Sequence, residues 1–145
     1  EAVLKKLTRS FLPRALIIVS ENFKECLETD TKPGIIARLY GTVQVIEKIE
    51  KSAYTPQPAT DTYLLAFTKK KLLTEEEQAF HSFLIYNGKC KNALRELLVH
   101  KGKTKKQARE LMKEAGFSPD VLEKPTAQLT AKALIRIREF IQKLY

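Results

Sequence analysis

Arg95 and His100 are the pair in this sequence whose types and spacing best suit a chemical step, with four residues between them in Arg95-Glu96-Leu97-Leu98-Val99-His100. A guanidinium clamps a phosphate through paired N–H donors, and an imidazole titrating near neutrality passes a proton to or from an oxygen. Together they would suit cleavage of a phosphodiester. The competing reading makes Arg95 and Glu96 exposed positions on a helix whose buried side is Leu94, Leu97 and Leu98, and an acid beside the arginine repels phosphate. Nothing else in the chain has the spacing of a reactive site. His81 and His100 lack metal-ligand neighbours, there is no C-x-x-C or H-x-x-x-H, and Gly34, Gly41, Gly88, Gly102 and Gly116 stand apart rather than forming a phosphate loop. Cys26 and Cys90 fit small core residues in a reducing compartment better than a disulfide scaffold. The sequence calls for no metal and no cofactor.

The Arg95/His100 spacing resembles the Arg-x(4–6)-His motif of helical HEPN-type ribonucleases. That resemblance implies His100 and Arg95 acting at a scissile phosphate. Glu96 departs from the family pattern, which favours Asn, Asp or His after the arginine. A non-enzymatic protein is therefore the leading expectation, with the ribonuclease third in order.

Charge carries the stronger signal. The 145 residues hold 26 Lys+Arg against 17 Asp+Glu, a net +9. Nine of those bases fall between Lys89 and Lys113: Lys89, Lys91, Arg95, Lys101, Lys103, Lys105, Lys106, Arg109 and Lys113, opposed there by Glu96 and Glu110 alone. Lys69, Lys70 and Lys71 form a second, shorter cluster. A concentrated positive patch attracts polyanions, phosphate backbones above all, whereas the plain alternative is a solvated Lys-rich face. These twelve residues are the candidate nucleic-acid contacts, with DNA and RNA both open. Aromatic residues are sparse around them, which argues against base stacking as the main mode.

Positioning those residues is a matter of helices. Val3, Leu4, Leu7 and Phe11 are helically spaced before Pro13, and Leu16 to Leu27 forms a second stretch. Ile35, Ile36, Leu39, Tyr40, Val43, Ile46 and Ile49 make a long stripe that predicts one core helix, with Gly41 inside it allowing a close crossing. Thr60 caps a short helix carrying Tyr63, Leu64 and Phe67. Thr74-Glu75-Glu76-Glu77 and Thr104-Lys105-Lys106-Gln107 are capping boxes opening two further helices. Cys90 to Leu98, Ser118 to Leu122 and a last stretch to Tyr145 complete the set. The fold expected is all-α, a compact bundle of about seven helices, with a helix-turn-helix-like element near 104–123. Residues 1–145 read as one domain, with a soft boundary near 52–60. The second helix of the 104–123 element is short and carries Asp120 and Glu123, so a backbone binder is expected over a sequence reader.

The stretch Ile36-Ala37-Arg38-Leu39-Tyr40-Gly41 through Ile46-Glu47-Lys48-Ile49-Glu50 resembles helices in the small all-helical subunits of CRISPR effector complexes. That implies a non-catalytic role lining a nucleic-acid groove. The leading expectation is thus a non-catalytic helical nucleic-acid binder, compatible with a place as a small subunit beside other protein subunits. A helical protein–protein adaptor is the alternative. The longest apolar run, Ala15 to Val19, falls far short of the ~20 residues of a membrane helix. With no secretory leader evident, a cytoplasmic location is expected, without membrane contact.

Overall fold

The computed structural model describes residues 12–145; the helix expected over Val3, Leu4, Leu7 and Phe11 lies outside the described residues. The chain divides into two compact units, Glu1–Leu73 and Thr74–Tyr145.

The first unit is α/β. Its order is β1 (Arg14–Ser20), α1 (Glu21–Glu28), α2 (Lys32–Tyr40), β2 (Gly41–Ile49), a 3-10 turn at Lys51–Ala53 and β3 (Thr62–Lys69). The sheet runs β1-β3-β2 with both pairings antiparallel. On one face Ile17, Val19, Val43, Tyr63 and Leu65 pack with Phe23 and Leu27 of α1 and Ala37 of α2. Thr31 caps α2 by accepting the Gly34 N–H at 3.3 Å, and Pro33 occupies the first turn, where its missing N–H is not needed. Lys48 and Asp61 pair at 2.7 Å beside the β2–β3 connection.

These strands overturn the all-α expectation. Leu16 to Leu27 is not one helix but β1 followed by α1, and the segment from Thr62 is a strand. The stripe from Ile35 to Ile49 is a nine-residue helix followed by a nine-residue strand. Gly41 is not a helix crossing but the junction between them. There a Cβ would stand 2.4 Å from the Thr68 carbonyl oxygen and 2.7 Å from the Phe67 ring. A β-bulge explains the misleading period. The register shifts between Val45 and Glu47, leaving Ile46 as the additional residue. That insertion spaces Val43, Ile46 and Ile49 three apart, which imitates a helical stripe inside a strand.

The second unit is helical: α3 (Glu75–Ile85), α4 (Cys90–His100), α5 (Lys105–Glu114), α6 (Pro119–Glu123), a 3-10 turn at Thr126–Gln128, and α7 (Ala131–Gln142). Both capping boxes form. Thr74 Oγ1 accepts from Glu77 N at 3.3 Å while the Glu77 carboxylate accepts from Thr74 N at 3.1 Å. Thr104 and Gln107 repeat the exchange at 3.2 and 2.9 Å. Phe80, Phe83, Leu94, Leu98, Leu134, Ile137 and Ile141 are buried in this unit. Buried Thr126 donates its hydroxyl to the Tyr86 carbonyl at 2.6 Å, and Cys90 N–H donates to Lys124 O at 2.8 Å, stitching residues 86–90 to 124–126. Among the described residues no helix is long and apolar enough to cross a membrane.

Candidate nucleic-acid interface

Helix α5 places its charge by amphipathicity. Ala108 and Met112 are buried four positions apart, so Lys105, Lys106, Arg109 and Lys113 are left exposed. Lys105, Arg109 and Lys113 follow one another at i, i+4 and i+8, a row of about 12 Å at 1.5 Å rise per residue. The turn before α5 adds Lys103. Gly102 sits at φ 81, and the Lys103 N–H donates to Leu98 O at 3.0 Å, closing the end of α4. Among the described residues, Lys103, Lys105, Lys106, Arg109 and Lys113 make no ion pair. Glu110 and Glu114 share the helix and make no ion pair with them.

The other expected contacts are engaged differently. Lys89 donates to Glu123 at 2.8 Å and Lys91 donates to the second oxygen of the same carboxylate. Those two ammonium groups hold the Glu123 carboxyl down at about 2. Lys101 lies 3.4 Å over the Tyr145 ring centroid and 3.7 Å from Glu75. Arg95 and His100 share α4, but five residues of helix put them about 140° apart around its axis. His100 lines a groove of about 700 Å³ with Glu75, Tyr86, Glu96 and Tyr145, and Arg95 is not among its lining residues. The pair does not converge on one phosphate. Lys69, Lys70 and Lys71 belong to the first unit, at and just past the end of β3. There the Lys69 and Lys70 N–H groups donate to Pro13 O and Tyr40 O, and both residues carry further interactions.

One cation was missed by counting bases along the chain. Arg136 of α7 donates to the Ala115 and Gly116 carbonyls, each at 3.3 Å, and lies 5.7 Å from the Phe117 ring centroid. It shares with Lys143 a groove of about 370 Å³ between α5 and α7. Only its position four residues before Phe140 on an apolar-striped helix could have suggested it. Cys90 is wholly buried and its thiol is pushed up to about 11, so it is a packing residue and not a nucleophile. No group of His, Cys, Asp or Glu among the described residues is arranged to hold a metal.

No protein-family model matches this sequence, and no curated protein matches it. Solved structures do. A dimethyladenosine transferase from Plasmodium falciparum aligns with a TM-score of 0.51 and 14% identity, over 98% of this chain and 62% of that one. The 23S rRNA methyltransferase ErmE aligns at a TM-score of 0.46 and 11% identity, over 97% and 60%. At such identity the likeness to the transferase is one of fold, and this chain spans less than two thirds of that protein's length. It nonetheless corrects the sequence reading. A non-catalytic helical binder, a helical adaptor and a HEPN-type ribonuclease all presuppose an all-helical chain, whereas this chain is mixed α/β, with a three-stranded antiparallel sheet and a fold like that of the transferase.

Proposed function

We propose that this chain is part of an enzyme that methylates adenosine in RNA, and that the α5 row grips the RNA backbone. The observation that carries the reading is the fold shared with a dimethyladenosine transferase across 98% of the chain. Adenosine is the ribonucleoside, so a polymer bearing it is RNA. The Lys105–Arg109–Lys113 row supplies the sequence-independent attraction such a substrate needs.

Methyl transfer needs an electrophilic methyl, which S-adenosylmethionine supplies when bound. The residues described here do not fit that donor. Backbone closely approached by such a ligand is glycine-rich at a strand end, and the two glycines of the first unit are packed against protein instead. A Cβ on Gly34 would lie 2.2 Å from Thr29 O, and one on Gly41 would lie 2.4 Å from Thr68 O. Arg38, which lines the shallow groove beside Gly41, is tied to Asp30 at 2.7 Å. No step of the transfer is assigned to these residues. Deleting the gene and digesting total RNA for mass spectrometry tests the reading. Loss of dimethyladenosine at one or a few RNA positions is expected; unchanged dimethyladenosine would overturn it.

A further inference from the structure

Helices α3 and α4 leave an open seam between them in the second unit. On α3 and its C-terminal cap, Glu75, Ala79, Ser82 and Tyr86 fall at i, i+4, i+7 and i+11. On α4, Ala93, Glu96, Leu97 and His100 fall at i, i+3, i+4 and i+7, and both rows line the one groove of about 700 Å³. Two such rows side by side are the seat that a helix pair offers to a third helix. Ala79, Phe83 and Ala93 are buried at its floor, and the Ser82 hydroxyl donates back to Gln78 O at 2.9 Å. From Glu75 to Tyr86 the seam runs about 16 Å, three turns of a helix.

The two ends of the seam are alike in chemistry but not in occupancy. At one end Lys101 lies over the Tyr145 ring and 3.7 Å from Glu75, so an alkylammonium already sits between an aromatic ring and a carboxylate. At the other, the Tyr86 hydroxyl donates to Glu96 at 3.2 Å, and no cation among the described residues pairs with that carboxylate. Glu75 and Glu96 repel phosphate, and none of the α5 bases lines the groove, so the seam does not suit RNA. A described helix of a second copy does not suit it either, because the apolar stripes of this chain's helices are packed within their own units.

We propose that the α3–α4 seam seats an amphipathic helix of a partner protein, with its apolar stripe over Ala79 and Leu97 and a lysine or arginine beside that stripe paired with Glu96. The small side chains of Ala79 and Ala93 let such a helix come close, and the unpaired carboxylate selects a basic one. The proposal does not depend on the methylation reading. It gives the basic second unit two separate surfaces, the α5 row for a polyanion and an acid-lipped seam for a cationic helix.

Two synthetic three-turn helices test the seam, one with a leucine stripe at i, i+4, i+7 and i+11 flanked by lysines, the other with glutamate for every lysine. Each is titrated into the isotopically labelled 145-residue chain, and amide shifts are read residue by residue. The lysine helix is expected to move the amides of Ser82, Tyr86, Ala93 and Glu96 and to bind at least about tenfold more tightly than its twin. Glu96→Lys is expected to reverse that order. Shifts confined to other elements, equal affinities or no binding overturn the proposal. Ser82→Trp, at an exposed position, fills the seam and is expected to abolish the shifts without lowering the melting temperature; undiminished binding overturns the proposal as well. In cells making the protein at its native level, a benzophenone amino acid at Ser82 identifies the occupant, with Lys132 on α7 as control. Ser82 is expected to link to a helix of another protein that carries such a stripe and base. Linkage to RNA, to a second copy or to nothing overturns the proposal.

Discussion

Glu123 shows how single residues decide which part of a basic sequence acts as a charged surface. Its carboxyl is lowered from 4.5 to about 2, first by the Lys89 hydrogen bond and then by Lys91. A depressed folded value means the pair stabilises the fold above the unfolded carboxyl's range, and that stabilisation is lost as pH falls through the folded value. Glu123→Gln is therefore expected to lower the melting temperature modestly at pH 7, with the gap to wild type closing between pH 4.5 and about 2. A gap that stays constant across that window would show that the pair contributes nothing. The same pairing explains why the candidate site was only half legible. Base density along the chain drew attention to the whole Lys89–Lys113 stretch, of which the structure leaves Lys103, Lys105, Lys106, Arg109 and Lys113 exposed and without an ion pair among the described residues. The partners that occupy Lys89, Lys91 and Lys101 lie 26 or more residues away, at Glu123, Glu75 and Tyr145, and no local spacing encodes them.

At the level of elements, Gly41 is where a helix hands over to a strand without a loop. Its Cα runs so close to Thr68 O and the Phe67 ring that a methyl group must displace backbone. Gly41→Ala is expected to destabilise the first unit by about 1–3 kcal/mol, the usual range for overpacking. Chemical denaturation followed by amide exchange at β2 and β3 would measure it, and an unchanged midpoint would mean the junction yields freely. That junction also marks where sequence reading succeeds and fails. The helices of the second unit announce themselves through capping boxes at Thr74 and Thr104 and through stripes such as Leu94–Leu98 and Leu134–Ile137–Ile141, all local signals. The strands do not. Ile46 in the bulge converts a two-residue period into a three-residue one, and Tyr63 to Phe67 is a continuous apolar run that suits either state. What makes them strands is their pairing, β3 between β1 and β2, and those partners are up to 54 positions apart in register.

For the whole molecule, the proposed function rests on the exposed Lys105–Arg109–Lys113 row of α5. That row has a quantitative signature in solution. Each phosphate contact releases condensed counterions, so the logarithm of affinity falls with the logarithm of salt concentration by about 0.7–0.9 per contact. Removing Lys105, Arg109 and Lys113 together, each to Ala, should flatten that slope by about 2 to 3 while weakening binding evenly across RNA sequences. Lys89→Ala with Lys91→Ala is the proper control, since their ammonium groups are already spent on Glu123. That double variant should leave the slope nearly where it was. Filter binding of a structured RNA from 50 to 300 mM salt, read against melting curves that confirm both variants remain folded, separates the outcomes. Equal slope changes in the two variants would mean that total charge, and not the ordered row on α5, draws the RNA in.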